Sequence, residues 1–346
     1  TEGGGDKMKR THGELLAGGG ANMAAPKAIK LPRVRLESTP SSMVVNSVTD
    51  LPKGVILTGA EKLRQDGLTG KGIRVAVIDS GIDEEHVGFE GKVTRGKWFR
   101  SGDLNNASDA HGTHVAGTIH MMAPEAEIYD YRVTGGMSTG TSVDEAIIDS
   151  IYSAVFEKCN VINMSLGGPP RSSRLTAIQF AISRGVVVVC AAGNGGDGDP
   201  LTNERSFPAM WDQTISIAAV SKKQNLPVVN FSNSNPLVDY AGIGLNVTSF
   251  KPGGGFFTIS GTSMACPHVA GLIAALLSGD TAFKADFAKA VPEGNSGFGM
   301  KKNVNLNVRK MLTDKFAVDI SQVGRDNGTG LGFLTYVING KEEFEL

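Results

Sequence analysis

Residues 160–194 read NVINMSLGGPPRSSRLTAIQFAISRGVVVVCAAGN, and this stretch decides the fold. Two short apolar runs, NVINMSL at 160–166 and VVVVCAAG at 186–193, flank a helical stretch at 175–185. Continuous apolar character is typical of strands that are buried on both faces, and a helix of about ten residues between two of them indicates a βαβ unit. The stretch therefore predicts two parallel strands of a buried sheet.

The same alternation continues on both sides of this unit. Further predicted strands and helices lie at 73–79, 127–133, 143–159, 281–290, 304–313 and 331–338, with an apolar helix starting near Ser263. This pattern predicts a doubly wound α/β fold, with a mostly parallel central sheet and helices on both faces. In such folds ligands bind beyond the C-terminal ends of the strands, so we expect the chemistry there.

The composition excludes several classes of protein. The 34 lysines and arginines balance 35 acidic residues, so no overall field concentrates nucleic acid or an anionic membrane. No apolar run approaches the roughly 20 residues that a membrane span needs. The three cysteines are an odd number and do not indicate a disulfide scaffold. We expect a soluble globular protein with no nucleic-acid partner and no membrane partner.

Three polar residues stand at predicted element boundaries, and each has a structural explanation when taken alone. Asp79 ends the strand IRVAVID, where an aspartate often caps the following turn. His111 and His114 in HGTHVAG could suggest a metal pair, but no carboxylate or cysteine ligand set accompanies them. Ser263 opens the apolar helix and can be interpreted as its N-cap.

Taken together, these residues indicate one reaction. Acyl transfer by a serine needs a hydroxyl oxygen, an imidazole that takes its proton, and a buried carboxylate that holds the imidazole tautomer. Asp79, His111 and Ser263 are of these three types. Asn194, in a Gly-Asn-Gly-Gly turn, is either a turn residue or an amide that stabilises the oxyanion beside the backbone N–H of Ser263. We predict that all four are catalytic.

Five motifs resemble those of the subtilisin family of serine peptidases. They are IDSGID around Asp79, HGTHVAGTI around His111, NVINMSLGG at 160–168, AAGN at 191–194 and GTSMACPHVAG around Ser263. They follow the family's order along the chain, aspartate before histidine before serine. Within the family, the chain resembles the intracellular subtilisins in LPKGV at 51–55, VCAAGNGGDGDP at 189–200, SFPA at 206–209 and FSNSN at 231–235.

The resemblance implies a serine endopeptidase that acts on proteins or peptides. It implies broad cleavage, with some preference for a large apolar residue before the scissile bond. An extended substrate would add as a strand to one rim of the cleft. The implied substrate-binding residues are Ser165, Leu166 and Gly167 on that rim, Gly140 on the opposite rim, Gly195 at the mouth of the primary pocket and Ser206 near its base.

The resemblance also predicts how the chain relates to metals. Only His120-Met121-Met122 precede Ala123-Pro124, where many relatives insert a calcium-binding loop, and Gly88 stands where the family often has an aspartate. The main calcium loop is therefore expected to be absent, and no metal or other cofactor is required. Asp197 and Asp199 could bind a cation, but two carboxylates in a glycine loop are more often solvated.

The first 42 residues are expected to form a flexible N-terminal extension, followed by the catalytic domain at 43–346. Around Leu31-Pro32 the sequence IKLPRVRL has the pattern of an extended segment. The resemblance implies that such a segment blocks the cleft until it is clipped, as in a zymogen. Pro32 would deny the enzyme a cleavable bond. The resemblance favours the cytoplasm, with secretion as the alternative.

Two alternatives to an endopeptidase stay open. The first is an exopeptidase, because inserts that capture a chain end would not show in these motifs. A catalytically silent member of the fold that only binds is the other, although all four predicted catalytic residues are present. A nucleotide-binding protein is excluded, because GLTGKG at 67–72 has the wrong spacing for a phosphate loop and precedes a strand.

Overall fold

A nine-stranded sheet forms the centre of the computed structural model, which describes residues 51–105, 109–290, 303–321 and 323–336. Its strands are β1 Arg74–Asp79, β2 Val93–Trp98, β4 Glu127–Arg132, β6 Val161–Met164, β7 Val187–Ala191, β8 Ile215–Val220, β9 Tyr240–Ile243, β12 Ala317–Val318 and β13 Phe333–Leu334. Their order is β12-β13-β9-β8-β7-β6-β1-β4-β2, and only the β12–β13 pair is antiparallel. Two small hairpin sheets join β3 Arg100–Ser101 to β5 Met137–Ser138 and β10 Val247–Phe250 to β11 Phe256–Ile259.

Helices cover the sheet in two groups. They are α1 Lys53–Leu57, α2 Ala60–Gln65, α3 His111–Met122, α4 Val143–Phe156, α5 Ser172–Ser183, α6 Thr262–Gly279, α7 Thr281–Ala290 and α8 Val304–Phe316, with a short 3₁₀ helix at Val87–Phe89. Helix α3 follows β2 and β3 in the chain and leads to β4, and α4 leads from β4 past β1 to β6. Helix α6 packs with α3, and α5 packs with α4.

The chain crosses the sheet in opposite directions after β1 and after β6, and this places a crevice between the two strands. The chain leaves β1 towards one edge of the sheet and leaves β6 towards the other, and the two strands are neighbours. Asp79 ends β1, and Ser165 directly follows β6. This is the topological switch point at which doubly wound sheets bind ligands, as the sequence predicts.

Helix α6 is the buried centre of the molecule, because small and aliphatic side chains surround its axis. All but a few of its residues are buried, and it contacts β6, β7, β8 and β9. In the described part of the chain it is the one helix long and apolar enough to cross a membrane, and 83% of it is buried inside the protein. All three cysteines are free and buried, and one of them, Cys266, lies on this helix.

The predicted elements agree with the structure except near their ends. Helix α7 covers the predicted 281–290, and α8 extends the predicted 304–313 to Phe316. The late strand at 331–338 is shorter than predicted, since β13 has two residues and positions 337–338 lie outside the described residues. The N-terminal extension, its boundary at residue 42 and the segment around Leu31-Pro32 also lie outside them.

Candidate active site

Asp79 and His111 form a direct pair at the switch point. Asp79 is the last residue of β1 and His111 the first residue of α3, and the Nδ1 of His111 lies 2.7 Å from Oδ1 of Asp79. The aspartate is 3% exposed, whereas 28% of the histidine side chain is exposed. The carboxylate therefore binds the Nδ1 edge of the imidazole from the buried side. The opposite edge, with Nε2, remains for a reaction.

Local contacts explain why β1 and α3 meet here. The Ser80 hydroxyl donates to the carbonyl of Asp109 at 2.8 Å and accepts from the N–H of Gly112 at 2.9 Å. Ser80 thus ties the turn after β1 to the start of α3. A Cβ on Gly112 would overlap the carbonyl oxygen of Gly81, so only glycine allows this approach.

The charge of Asp79 governs the protonation of His111. Burial acts to lower the pKa of His111, but the negative charge of Asp79 and its hydrogen bond outweigh burial and raise that pKa above its usual range. The pair therefore favours an imidazolium, the state that forms when the histidine takes a proton.

Ser263 lies in the first turn of α6, on the other side of the same crevice. Its hydroxyl donates to the carbonyl of Ser165 at 3.0 Å, and the Ser165 hydroxyl donates back to the carbonyl of Ser263 at 2.8 Å. Within the described residues, Ser263 and His111 are not joined by a hydrogen bond. The negative charge of Asp79 reaches the same turn, since it adds to burial in raising the pKa of Cys266.

The N-cap interpretation of Ser263 is wrong. Helix α6 begins at Thr262, its N-cap is Gly261, and Gly261 makes no side-chain cap. Ser263 is the second helical residue, so its backbone N–H is one of the groups at the helix start that has no partner within the helix. Its N–H and the positive end of the helix dipole are therefore available to an anion.

Asn194 is held by its amide oxygen. Its Oδ1 accepts from the N–H of Thr262 at 2.8 Å and from the Thr262 hydroxyl at 2.9 Å. In the described part of the chain its Nδ2 has no acceptor. A Cβ placed on Gly261 would lie 3.3 Å from this Nδ2 and 3.6 Å from the N of Ser263, so the two donors border the same space. The amide donor has a fixed orientation and is available to an oxyanion.

The loops after β6 and β7 carry four of the residues predicted for substrate binding, which are Ser165, Leu166, Gly167 and Gly195. Ser165 is buried after β6, Leu166 is half-buried and Gly167 is exposed. A Cβ on Gly167 would overlap the Oγ of Ser206, so Ser206 lies directly against this rim. The Cβ of Ser206 also lies 2.9 Å from the place a Cβ would take on Gly193, next to Asn194. The structure therefore brings Ser206 between the loop after β6 and the loop after β7.

Gly140 lies in a separate loop that precedes α4. It is exposed, with a left-handed φ of 105°, and Ser142 and Glu145 form a capping box at the start of α4. Asp144 in the same turn pairs with Arg171 at 3.1 Å and with the buried Arg174. These two ion pairs join the first turn of α4 to the start of α5.

A buried ion pair, absent from the sequence predictions, supports both catalytic candidates at the sheet. Arg132 ends β4 beside Asp79, and its Nη2 lies 3.3 Å from Oδ2 of Asp109, with both side chains fully buried. The guanidinium also donates to the carbonyl of Gly102 at 2.8 Å. Asp109 stands two residues before His111. Only the fold makes this pair visible, because Arg132 and Asp109 are far apart in the sequence.

Metal-binding groups are not assembled in the described residues, where no three His, Cys, Asp or Glu side chains are arranged to hold an ion. His114 is buried, its Nε2 lies 3.0 Å from the carbonyl of Val247, and burial lowers its pKa to about 3. Asp197 accepts from the N–H of Asp199 at 2.8 Å and from the hydroxyl of Thr202 at 3.1 Å. The ring of Phe250 packs against Gly88.

Comparisons with known proteins point to one family. The profile of the Subtilase family matches residues 70–309. The chain is 38% identical to the major intracellular serine protease of Bacillus subtilis (strain 168) over 260 residues, which cover 71% of this chain and 81% of that protein. It is 34% identical to an intracellular serine protease of Paenibacillus polymyxa over 275 residues, 72% of this chain and 83% of that protein.

Solved structures show the same likeness. A psychrophilic protease called S41 superposes with a TM-score of 0.65 at 27% identity, over 84% of this chain and 99% of that one. A cold-adapted subtilisin-like serine proteinase superposes with a TM-score of 0.55 at 27% identity, over 77% of this chain and 88% of that one.

Proposed function

The chain belongs to the subtilase family, and from that premise we propose that it is a serine endopeptidase whose nucleophile is Ser263. It hydrolyses peptide bonds, as do the serine proteases to which it is similar. The observation that carries the assignment is the 2.7 Å contact between Asp79 and His111 beside the first turn of α6. No cofactor is required, since the four residues supply every group that acyl transfer uses.

The proposed reaction has two halves. The Oγ of Ser263 attacks the peptide carbonyl carbon while Nε2 of His111 takes the hydroxyl proton, and the carbonyl electrons move onto oxygen. The tetrahedral intermediate collapses, the C–N bond breaks, and His111 returns the proton to the leaving amine. Water then attacks the acyl-enzyme in the same way and releases the carboxylic acid.

Asn194 and the start of α6 act on the charge that forms. The amide Nδ2 of Asn194 and the backbone N–H of Ser263 donate to the oxyanion, and the helix N-terminus adds a positive partial charge. Thr262 holds the amide oxygen in two hydrogen bonds, so the donor is oriented before the substrate arrives. A preoriented donor costs no reorganisation when the charge appears.

Substrate binding releases the nucleophile in this scheme. The Ser263 hydroxyl donates to the carbonyl of Ser165 in the free protein. An extended peptide that adds to Ser165–Gly167 offers its own N–H to this carbonyl, and the Ser263 hydroxyl turns to His111. The pocket between Gly167, Gly195 and Ser206 accepts many side chains and favours a large apolar one before the scissile bond.

We also propose that the segment around Leu31-Pro32 inhibits the enzyme from the same groove. The segment around Leu31-Pro32 would lie as a strand along Ser165–Gly167, and Pro32 would withhold a cleavable bond. A chain that starts near Met43 should then hydrolyse peptides faster than the full chain before any processing. Equal rates would exclude inhibition by this segment.

A peptide with both ends blocked tests the proposal. Internally quenched peptides that carry an N-terminal acetyl and a C-terminal amide are cleaved by an endopeptidase but not by an enzyme that grips a free chain end. We expect the wild-type chain to cleave them and Ser263→Ala to lose nearly all activity with an unchanged far-UV spectrum. Cleavage of only the unblocked peptides would indicate an exopeptidase, and cleavage of neither would indicate a binding protein.

A further inference from the structure

Asn233 contacts both residues that flank Asn194. Its Nδ2 donates to the carbonyl of Ala192 at 2.9 Å, and its Oδ1 accepts from the N–H of Gly195 at 2.7 Å. Its own N–H donates to the carbonyl of Gly193 at 3.0 Å. One buried asparagine, 3% exposed, thus holds the chain immediately before and after Asn194.

The loop that carries Asn194 needs such support. It reads Ala-Gly-Asn-Gly-Gly at 192–196, and glycines leave a backbone free to sample many conformations. Gly193 has a φ of 110°, and a Cβ there would overlap the Nδ2 of Asn233. Gly193 therefore packs directly against the Asn233 side chain, with no room for a Cβ between them.

Asn233 itself stands on a rigid support. The neighbouring Ser232 accepts from the N–H of Ala219 in β8 at 3.0 Å, and Phe231 accepts from the N–H of Gly196 at 2.9 Å. Residues 232–235 are all buried. The segment thus joins the Asn194 loop to strand β8 of the central sheet.

We propose that Asn233 is a positioning residue for the oxyanion donor, and this inference rests on the proposed function. Asn233 does not touch the reacting atoms. It fixes the backbone of Asn194, while Thr262 fixes the amide of Asn194, so that Nδ2 is aimed at the oxyanion. Displacement of a catalytic group by about 1 Å can cost about 10²-fold in rate, so loss of Asn233 should lower kcat.

Asn305 offers a matched control. It is fully buried, its Nδ2 donates to the carbonyls of Val188 and Gln213 at 3.2 and 2.7 Å, and its Oδ1 accepts from the N–H of Val188 at 3.2 Å. The same amide thus makes the same kinds of backbone contacts at the opposite end of β7. Asn305→Ala should destabilise the fold as Asn233→Ala does, and leave kcat unchanged.

A double-mutant cycle with Asn194 tests the proposal. We expect Asn233→Ala to lower kcat by about 10-fold to 10²-fold with a much smaller change in KM. Because the effect acts through Asn194, Asn233→Ala should add almost nothing in the background of Asn194→Ala. A purely structural role would lower kcat equally in both backgrounds and would overturn the proposal, as would a wild-type kcat.

Two further variants make the result decisive. Asn233→Asp keeps the volume of the side chain and the acceptor for the N–H of Gly195. It replaces the amide donor to the Ala192 carbonyl by an oxygen that cannot donate. If Asn233→Ala does not fold, Asn233→Asp takes its place in the cycle, with an intermediate and equally non-additive loss. Ser263→Ala in the same assay separates the two claims. Hydrolysis that survives Ser263→Ala overturns the proposed function, whereas additive losses with Ser263-dependent hydrolysis overturn only the role of Asn233.

Discussion

Replacing Gly112 by alanine should strongly lower the activity without removing any polar group from the site. The new Cβ would overlap the carbonyl oxygen of Gly81 and lie 3.1 Å from the carbon and nitrogen of the same residue. Carbon and oxygen that are not bonded normally stay about 3.3 to 3.6 Å apart. Since all three obstructing atoms are backbone, no side-chain rotation relieves the contact, and the start of α3 must move away from the turn after β1.

This movement separates Asp79 from His111, the inner pair of the proposed triad. Asp79 belongs to the turn after β1 and His111 to the start of α3, and their 2.7 Å contact has little tolerance. Overpacking of this kind costs about 1 to 3 kcal/mol in stability. A displacement approaching 1 Å costs about 10²-fold in rate. We therefore expect Gly112→Ala to lower kcat by about 10²-fold while the protein still folds.

The assay pairs urea unfolding with steady-state hydrolysis of a blocked peptide, and Gly117→Ala is its control. Gly117 lies on the same helix, but a Cβ there would overlap the Oγ of Ser249 and lie 2.9 Å from the side chain of Phe250. Gly117→Ala should thus destabilise the protein with little change in kcat. A wild-type kcat in Gly112→Ala would refute the argument, as would an equal loss of kcat in Gly117→Ala.

Three further predictions address charge, metal and stability. Asp79→Asn should lower kcat by about 10⁴-fold; since the charge of Asp79 raises the pKa of His111, the acidic limb of kcat/KM should also move to lower pH, and an unmoved limb would contradict the assignment. Chelation with EDTA should leave Tm and activity unchanged, because only His120-Met121-Met122 stand where the resemblance places the main calcium loop; a fall in Tm that calcium reverses would show a metal site. Arg132→Met should lower the free energy of unfolding by about 3 to 5 kcal/mol, because it removes the guanidinium from the buried Asp109; a loss below about 1 kcal/mol in urea unfolding would contradict this.

The sequence was sufficient to predict the fold because its signals are local. Apolar runs such as 186–193 and the helix between them specify a buried parallel sheet without knowledge of distant contacts. The positions of Asp79 at the end of β1 and of His111 at the start of α3 were predictable for the same reason, since a glycine follows each within two residues. The contact between them follows from the fold.

Long-range contacts were not predictable. Arg132 and Asp109 meet only because β4 lies beside β1, and Asn233 reaches the Asn194 loop from a segment after β8. The start of α6 also differs from the prediction. Thr262, rather than Ser263, is the first helical residue, and its hydroxyl and N–H both bond to Asn194.

The central claim is that Ser263 is the nucleophile, and covalent labelling tests it most directly. The full chain is treated with a fluorophosphonate, and the modified residue is located by mass spectrometry of its peptides. We predict a single adduct on Ser263, absent in Ser263→Ala and formed in step with the loss of hydrolysis. An adduct on another serine, such as the neighbouring Ser165, or full hydrolysis by Ser263→Ala would contradict the claim.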